Sequence, residues 1–287
     1  MSRPDNSSRR FLFDEADVRG ESVQLGAALT DMLSNQPYSQ SVKCLLGEFA
    51  SAVVLISNNL KYAGRIILQA KSDSDLSLAM VECSSERHIR GIARGNIGRE
   101  TSTPMDHLLG GQLAITIERE ADQRYQGIIS LEGHSLAQAL EQYFAQSEQL
   151  GARFWLASDG DQSAGLMLQQ LPIQVESSIE RHEQWATLCL LADTVTHHEL
   201  LKSPPEELLF KLFHEEKVTL YPPAPILFKC RCSRERSAST IAMLPESEQA
   251  EILAEQGEIV LTCELCGATY QFDQVVLNTD NTGHTLH

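Results

Sequence analysis

The sequence predicts an α+β fold with an N-terminal, largely antiparallel sheet domain with packed helices, a helical linker region, and a small C-terminal domain containing four cysteines. Three observations support this prediction. Strand-like segments between residues 62 and 172 follow one another with short polar turns, which favours antiparallel pairing. Residues 173–213 contain no convincing strand. Four of the seven cysteines lie between residues 230 and 266.

The N-terminal domain is assigned to residues 1–172. Residues 1–10 are polar and are expected to fray. Two segments have apolar residues at helical spacing, and a third helix is predicted to begin with Ser135 as its N-cap; they cover residues 24–36, 41–60 and 135–149. Strands are predicted from alternating apolar and polar residues at 62–71, 76–83, 88–94, 112–120, 125–133, 152–159 and 164–172. Residues 11–172 are expected to fold without the rest of the chain.

The linker is assigned to residues 173–228, where two helices are predicted over residues 179–201 and 203–216. The second has start signals, because prolines at its first turn are followed by Glu206 and Glu207, which complement the helix dipole. The linker has nine acidic and four basic side chains but also dense apolar clusters. Such clusters need burial, so the segment is not a solvated tether.

Composition limits the possible functions. The chain has 287 residues, 42% hydrophobic residues and a formal net charge of −16 at pH 7. A sequence pI near 4.9 argues against nucleic acid and anionic membranes as partners, because both require basic surface. The most apolar stretch, residues 44–57, is too short for a membrane span and contains Glu48. The segment "SSRRFLF" precedes acidic residues rather than an apolar run, so a cytoplasmic protein with reduced cysteines is expected.

The four cysteines of residues 229–287 have the spacing of a metal site. Cys230 and Cys232 form a C-x-C pair, and after 30 intervening residues Cys263 and Cys266 form a C-x-x-C pair followed by Gly267. A tight C-x-x-C turn brings two thiolates to one side, and residues i and i+2 of an extended segment face the same way. Four thiolates around one redox-inert cation indicate a structural zinc site, with one zinc per chain.

Two other interpretations of these cysteines are possible. The four can be unrelated reduced thiols, or Cys263 and Cys266 can form a thioredoxin-like catalytic pair, although the β-α context that such a pair requires is absent. Arg231, Arg234 and Arg236 either form a solvated face or lower the thiol pKa values. Cys44, Cys83 and Cys189 lie in apolar contexts and are interpreted as inert buried thiols. No P-loop or dinucleotide-binding motif is present, and no catalytic residue is assigned.

Seven segments of the chain together carry a family pattern: "VRGE" (18–21), "RGIAR" (90–94), "GGQLAIT" (110–116), "GHSLAQALEQYFAQSEQ" (133–149), "LFHEE" (212–216), "FKCRCSRER" (228–236) and "GEIVLTCELCGATYQFD" (257–273). In these segments the sequence resembles the redox-regulated heat-shock chaperones of the thirty-three-kilodalton chaperonin family. The resemblance spans roughly residues 11–275. No departure from the family pattern occurs at the four cysteines. The role of Ser147, Glu148 and Gln149 is not assigned beyond structural hydrogen bonding.

The resemblance implies a reduced, zinc-bound, inactive state. It implies that oxidation forms the disulfides Cys230–Cys232 and Cys263–Cys266, expels zinc and produces a chaperone that holds unfolding client proteins without ATP. The predicted client surface consists of apolar linker residues that are expected to be packed in the reduced state: Leu188, Leu190, Leu191, Leu208, Leu209, Phe210 and Phe213. A homodimer is expected after oxidation. The alternative is a zinc-ribbon protein that binds nucleic acid or a protein partner.

Overall fold

The computed structural model describes residues 6–58, 63–119, 124–131, 133, 135–147, 150–172 and 178–273. The chain divides into two compact units, Met1–Lys229 and Cys230–His287. Both contain antiparallel sheet and helices, which confirms the predicted α+β class.

The secondary structure follows in chain order. The strands are β1 (Ser7–Phe13), β2 (Val18–Leu25), β3 (Gly64–Lys71), β4 (Leu76–Ser84), β5 (His88–Gly95), β6 (Gln112–Arg119), β7 (Arg124–Ser130), β8 (Ala152–Ser158), β9 (Ser163–Gln170), β10 (Val218–Leu220), β11 (Ala224–Pro225), β12 (Leu227–Phe228), β13 (Ile259–Thr262) and β14 (Thr269–Phe272). The α-helices are α1 (Ala27–Leu33), α2 (Gln40–Ser57), α3 (Leu136–Ser147), α4 (Ser178–Ala192), α5 (His197–Lys202), α6 (Pro205–Phe213), α7 (Arg234–Ile241) and α8 (Glu246–Gln256). A 3₁₀ turn covers Pro104–Leu108.

The first unit contains two sheets. In sheet one the strand order is β10-β1-β2-β9-β8, and β11 also pairs with β1. Sheet two has the order β12-β5-β4-β3-β6-β7. All of these pairs are antiparallel except β12 with β5, which is parallel.

The helix α2 contacts both sheets and lies at the centre of the main core. It touches β2, β8 and β9 of sheet one and β3, β4 and β5 of sheet two. Ser39 caps the helix, because its hydroxyl accepts a hydrogen bond from the Val42 N–H. Its length and apolar composition alone would allow a membrane span, but 78% of that window is buried inside the fold. In the described residues α2 therefore has the environment of a core helix.

The start of the chain differs from the prediction. Residues 7–13 are the ordered strand β1 rather than part of a frayed terminus, and residues 18–25 form β2. The helix predicted over 24–36 is confined to Ala27–Leu33. The cause is long-range pairing, because β1 bonds to β2 on one side and to β10 on the other. Phe11 and Phe13 alternate along β1 and are both buried.

The predicted linker helix of residues 179–201 is two helices, α4 and α5. The break has a local cause: Thr196 and Glu199 form a capping box that starts α5. The Thr196 hydroxyl accepts from the Glu199 N–H at 3.2 Å, and the Glu199 carboxylate accepts from the Thr196 N–H at 3.0 Å. The second predicted helix is observed as α6, which has the expected proline and acidic residues in its first turn.

Residues 218–228, at the end of the predicted linker, return to both sheets. Leu220 pairs with Phe11 of β1, and Leu227 pairs with His88 of β5. The Lys229 N–H then donates to the Ile89 carbonyl at 3.1 Å. The described linker residues are thus part of the first compact unit.

The second unit has a small core. The hairpin β13-β14 packs with α7 through the buried side chains of Ala238, Ile241, Ile259 and Phe272. The helix α8 contributes no fully buried residue. Few apolar contacts therefore stabilise this unit, which contains all four cysteines of the predicted site.

Candidate metal centre and linker surface

The C-x-x-C pair lies in the turn between β13 and β14. The Gly267 N–H donates to the Cys263 carbonyl at 2.8 Å, and the Cys263 N–H donates to the Ala268 carbonyl at 2.8 Å. Gly267 has a φ of 72°, a left-handed conformation that favours glycine. The glycine after the second cysteine is thus required by the shape of this turn.

The C-x-C pair lies just before α7. Ser233 follows Cys232 and caps that helix, because its hydroxyl accepts from the Arg236 N–H at 3.3 Å. The cap fixes the chain direction immediately after the second cysteine of the pair.

The fold brings the four predicted ligands together. The sulfurs of Cys230, Cys232, Cys263 and Cys266 all lie within 4.8 Å of one another. The Cys230–Cys263 sulfurs are 3.7 Å apart and the Cys232–Cys266 sulfurs are 3.3 Å apart. A zinc ion with Zn–S bonds of about 2.3 Å in a tetrahedron has S···S edges of about 3.8 Å. The arrangement therefore fits a tetrahedral four-thiolate metal site.

Backbone N–H groups point at the sulfurs, as the turn geometry predicts. Cys263 accepts from the N–H groups of Leu265 and Cys266, and Cys266 accepts from that of Ala268. Burial nevertheless raises the pKa of Cys263 and of Cys266. For Cys230 burial is outweighed by hydrogen bonds from Cys232, so its pKa is lowered. Four thiols this close cannot all ionise without a cation between them, which is the chemistry that a divalent ion supplies.

The sequence did not single out Tyr270, which contacts the site from β14. Its hydroxyl donates to the Cys232 sulfur at 3.2 Å. Two residues further along the same strand, the Phe272 ring lies 4.6 Å from the Arg234 guanidinium carbon. Residues i and i+2 of a strand share a face. The aromatic residues Tyr270 and Phe272 at this spacing were therefore the sequence signal that could have identified this contact.

The arginines near the first pair are engaged within the unit. Arg234 lies over Phe272, and Arg236 donates to the Arg231 carbonyl at 3.0 Å.

The three remaining cysteines are outside the site. Burial raises the pKa of Cys44 to about 11 and those of Cys83 and Cys189 to about 12, so these thiols stay protonated near neutral pH.

The predicted client residues occupy two different environments. Five of the seven pack against sheet one: Leu188, Leu208, Leu209 and Phe213 are buried, and Leu191 is partly buried. The expectation that all seven are packed is wrong for Leu190 and Phe210, which are 68% and 73% exposed. Both lie on the outer side of their helices, opposite the residues that face the sheet.

The linker helices and sheet one share a second core cluster. Phe213 lies 5.0 Å from Phe13 in an edge-to-face arrangement and 6.3 Å from Phe11. Polar contacts add to this packing. Gln24 donates to the Ser203 carbonyl at 2.8 Å, and Trp155 donates to the Asp193 carboxylate at 3.0 Å. The linker is held mainly by apolar burial.

One buried cluster has the composition of a catalytic triad. The Ser41 hydroxyl is 2.8 Å from His107 Nε2, and His107 Nδ1 is 3.5 Å from the Asp75 carboxylate. His107 is fully buried, and the Ser41 oxygen also accepts from the Thr101 N–H at 3.2 Å. The neighbouring N–H groups at the start of α2 donate to Glu100. We interpret the cluster as a structural network.

The motif of residues 147–149 is described only at its first position. Ser147 is the last residue of α3. Glu148 and Gln149 lie outside the described residues.

The fold and site define a two-unit α+β protein whose smaller unit contains a four-thiol candidate metal centre. The family model for the Hsp33 protein matches residues 6–273, and the chain belongs to this family. Two similar proteins are named 33 kDa chaperonin. The one from Ectopseudomonas mendocina is 47% identical over 271 residues (93% of this chain and 92% of the relative), and the one from Azotobacter vinelandii is 44% identical over 270 residues (93% and 91%).

A solved structure agrees with this assignment at the level of the fold. The 33 kDa chaperonin of Thermotoga maritima has a TM-score of 0.82 at 19% identity, with 96% of this chain and 98% of that chain covered. The family resemblance inferred from the sequence is confirmed. Membership places the chain in a family of proteins named as chaperonins.

Proposed function

We propose that this protein is a redox-regulated, ATP-independent holdase chaperone that is inactive while reduced and zinc-bound. The observation that carries the proposal is the convergence of four cysteine sulfurs within 4.8 Å in the smaller unit. Cys230, Cys232, Cys263 and Cys266 would hold one zinc ion per chain. The three cysteines elsewhere have raised pKa values and serve no part of this chemistry.

The small core of the second unit supports a structural role for the metal. Four buried apolar side chains form that core among its described residues. Burying a large apolar side chain stabilises by about 1.5–3 kcal/mol, whereas ordering each residue costs about 1–2 kcal/mol of backbone entropy. A structural zinc contributes about 10–16 kcal/mol of apparent folding free energy in small domains. Loss of the ion therefore unfolds this unit.

Oxidation removes the ligands. A thiolate attacks a peroxide oxygen, the O–O bond breaks, and the sulfur becomes a sulfenic acid while hydroxide leaves. The second thiolate of the pair attacks that sulfur, forming a disulfide and releasing hydroxide. Two peroxides thus consume four thiolates and yield the disulfides Cys230–Cys232 and Cys263–Cys266. Disulfide sulfurs are poor zinc ligands, so the ion leaves.

Client binding follows from opening of the linker. If α4, α5 and α6 leave sheet one, they expose the buried residues Leu188, Leu208, Leu209 and Phe213. The same opening uncovers the sheet residues that pack against them, among them Phe11 and Leu168. Leu190 and Phe210 are already exposed, and together with the partly buried Leu191 they extend this surface. Contiguous apolar surface of this kind binds unfolding proteins.

Self-association is a further consequence of this surface. We expect the oxidised protein to form a homodimer, because two copies can cover each other's apolar faces. The acidic balance of the chain argues against nucleic-acid or membrane partners, and we expect the protein to act in the cytoplasm. The alternative of a zinc ribbon that binds nucleic acid or a protein partner has less support, because a nucleic-acid ligand requires a concentrated basic surface and the chain has a formal net charge of −16.

The decisive experiment measures aggregation of a chemically denatured model protein with reduced and with peroxide-treated chaperone, while zinc release is followed with a chromogenic chelator. We expect about one zinc per reduced chain, and suppression of aggregation only after zinc release. Peptide mapping of oxidised protein checks the two disulfides. Equal activity in the reduced and oxidised samples would refute redox control.

The metal assignment is tested by the substitution Cys263→Ser with Cys44→Ser as the matched control. Removing one of four thiolate ligands should lower zinc affinity by at least about 100-fold, because the remaining sulfurs leave the tetrahedron incomplete. Cys44 lies on α2 and takes no part in the thiol cluster. Full zinc affinity in the Cys263 variant would overturn the assignment.

A further inference from the structure

The hairpin β13-β14 touches the first cysteine pair through two side chains on one face of β14. Tyr270 donates its hydroxyl proton to the Cys232 sulfur at 3.2 Å. Phe272 is fully buried and lies under the guanidinium of Arg234, two residues after Cys232. The other face of β14 presents Thr269 and Gln271, which are exposed. The segment of Cys232–Arg234 is therefore fixed to β14 by contacts that do not involve the metal.

The Tyr270 contact differs in kind from the hydrogen bonds on the neighbouring sulfurs. The Cys230 sulfur accepts from the backbone N–H of Cys232, and the Cys266 sulfur accepts from that of Ala268. Because these donors belong to the backbone, a side-chain substitution does not remove them. The donor on Cys232 is a side-chain hydroxyl at the end of a ring. Replacing Tyr270 by phenylalanine deletes that one oxygen and keeps the ring.

We propose that Tyr270 is a positioning residue that restrains the oxidation of Cys232 and thereby sets how readily the centre loses zinc. This inference rests on the proposed function. A hydrogen bond to a metal-bound thiolate withdraws electron density from the sulfur and fixes its direction toward the ion. Attack on peroxide uses the same sulfur electron pair, so a bonded sulfur is the weaker nucleophile.

The step that Tyr270 slows is the first attack. The Cys232 thiolate donates an electron pair to one peroxide oxygen, the O–O bond breaks, and the other oxygen leaves as hydroxide. Cys232 is then a sulfenic acid and no longer a thiolate ligand. Its hydrogen bond to Tyr270 must weaken along this path because the negative charge leaves the sulfur. The tyrosine thus stabilises the reactant more than the transition state.

The test compares Tyr270→Phe with wild-type protein and with Tyr221→Phe as the matched control. Tyr221 lies in the first unit, and its side chain is 41% exposed. Zinc release is followed at fixed peroxide in excess. The rate constant for the Tyr270 variant should rise by about three- to tenfold, because a hydrogen bond to a charged group that is only partly buried loses part of its strength to water. The control should match wild type.

A second readout separates this role from general loosening. Zinc-bound protein is exposed briefly to an alkylating agent, and the label on each cysteine is quantified by mass spectrometry. Tyr270→Phe should raise labelling of Cys232 by a similar factor while Cys263 and Cys266 stay within about twofold, because the lost bond ends on Cys232 alone. A uniform rise at all four cysteines, or no rise at Cys232, would overturn the inference.

The two readouts also distinguish this inference from the proposed function. If peroxide released no zinc from wild-type protein, the proposed redox control would fail. The alkylation experiment would still decide whether Tyr270 restrains Cys232.

Discussion

Replacing Phe213 by alanine should open the linker without oxidation. Phe213 is 2% exposed and packs among the apolar side chains that α6 and sheet one share. Its ring meets Phe13 edge-to-face at 5.0 Å and lies 6.3 Å from Phe11. The substitution leaves a cavity between the helix and the strand without adding charge or changing the cysteines.

The size of the effect follows from the buried ring. Removing a fully buried phenylalanine side chain costs about 3–5 kcal/mol, from lost transfer energy and the cavity together. If this cost falls on the closed linker alone, the open population rises by a factor between about 10² and 5 × 10³. A linker that is open in one molecule in a thousand would then be open in a large fraction of reduced molecules.

The assay measures aggregation of a denatured model protein with reduced, zinc-bound variant. We expect partial suppression of aggregation without peroxide, with zinc still bound. Hydrogen exchange should show faster exchange in α5 and α6 while β3, β4 and β6 keep their protection. Phe210→Ala is the matched control, because it removes the same side chain from the same helix at a position that is 73% exposed. Its reduced form should exchange like wild type.

Two results would refute this reasoning. One is a Phe213 variant whose linker exchanges freely in the reduced state but which does not suppress aggregation. That outcome would separate linker opening from client binding. The other is an equal effect of Phe210→Ala and Phe213→Ala on linker exchange, which would show that burial against sheet one does not control opening.

Two further predictions concern stability. Burial raises the pKa of Glu21 from 4.5 to about 7 despite the attraction of Arg10, so the fold favours the protonated carboxyl. The contribution of Glu21 to folding stability is therefore complete below pH 4.5 and is lost as pH rises through about 7. The variant Glu21→Gln should therefore reduce the fall in Tm between about pH 5 and pH 8, as measured by circular dichroism; an unchanged slope would contradict the pKa shift. A fragment ending at Lys229 should melt cooperatively without response to a chelator. A fragment of residues 11–172, which the sequence alone predicts to fold independently, cuts through β1 and uncovers the linker-facing side of sheet one. It should melt at a lower temperature and associate, and a higher Tm than that of the longer fragment would contradict this expectation.

Local sequence signals were enough for the middle of the first unit. The strands β3 to β6 alternate apolar and polar residues, which identifies them as strands. They pair mostly with strands that are close in sequence, so their antiparallel pairing could also be predicted. The strands β1 and β10 to β12 were missed for the opposite reason. β1 includes adjacent arginines, and its partner Leu220 lies more than 200 residues away from Phe11. Pairing over that distance leaves no pattern in either segment alone.

The candidate site shows the same division. The two cysteine pairs predicted a shared site, because each pair is local and four thiolates together complete the coordination of one metal ion. The environments of Leu190 and Phe210 could not be predicted, because "LCLLA" and "LLFKLF" place apolar residues on every side of a short helix. Only the position of sheet one decides which side is buried. The contact of Tyr270 with Cys232 likewise depends on how the hairpin β13-β14 folds over the first pair.

The way the helices α4 to α6 are attached would let them open, as proposed, without unfolding the sheets. The backbone before α4 is held in β9, which pairs with β2, and the backbone after α6 is held in β10, which pairs with β1. The helices between these strands contact sheet one mainly through side chains. Their departure breaks apolar contacts and ion pairs such as Lys202 with Asp159, but it leaves both strand ladders in place. The entropy lost in holding the two ends of a loop together grows only slowly with the length of the loop, so the length of the released segment matters little. The free energy of opening is therefore governed by the buried linker side chains, so one aromatic ring can shift the balance that zinc loss is proposed to shift.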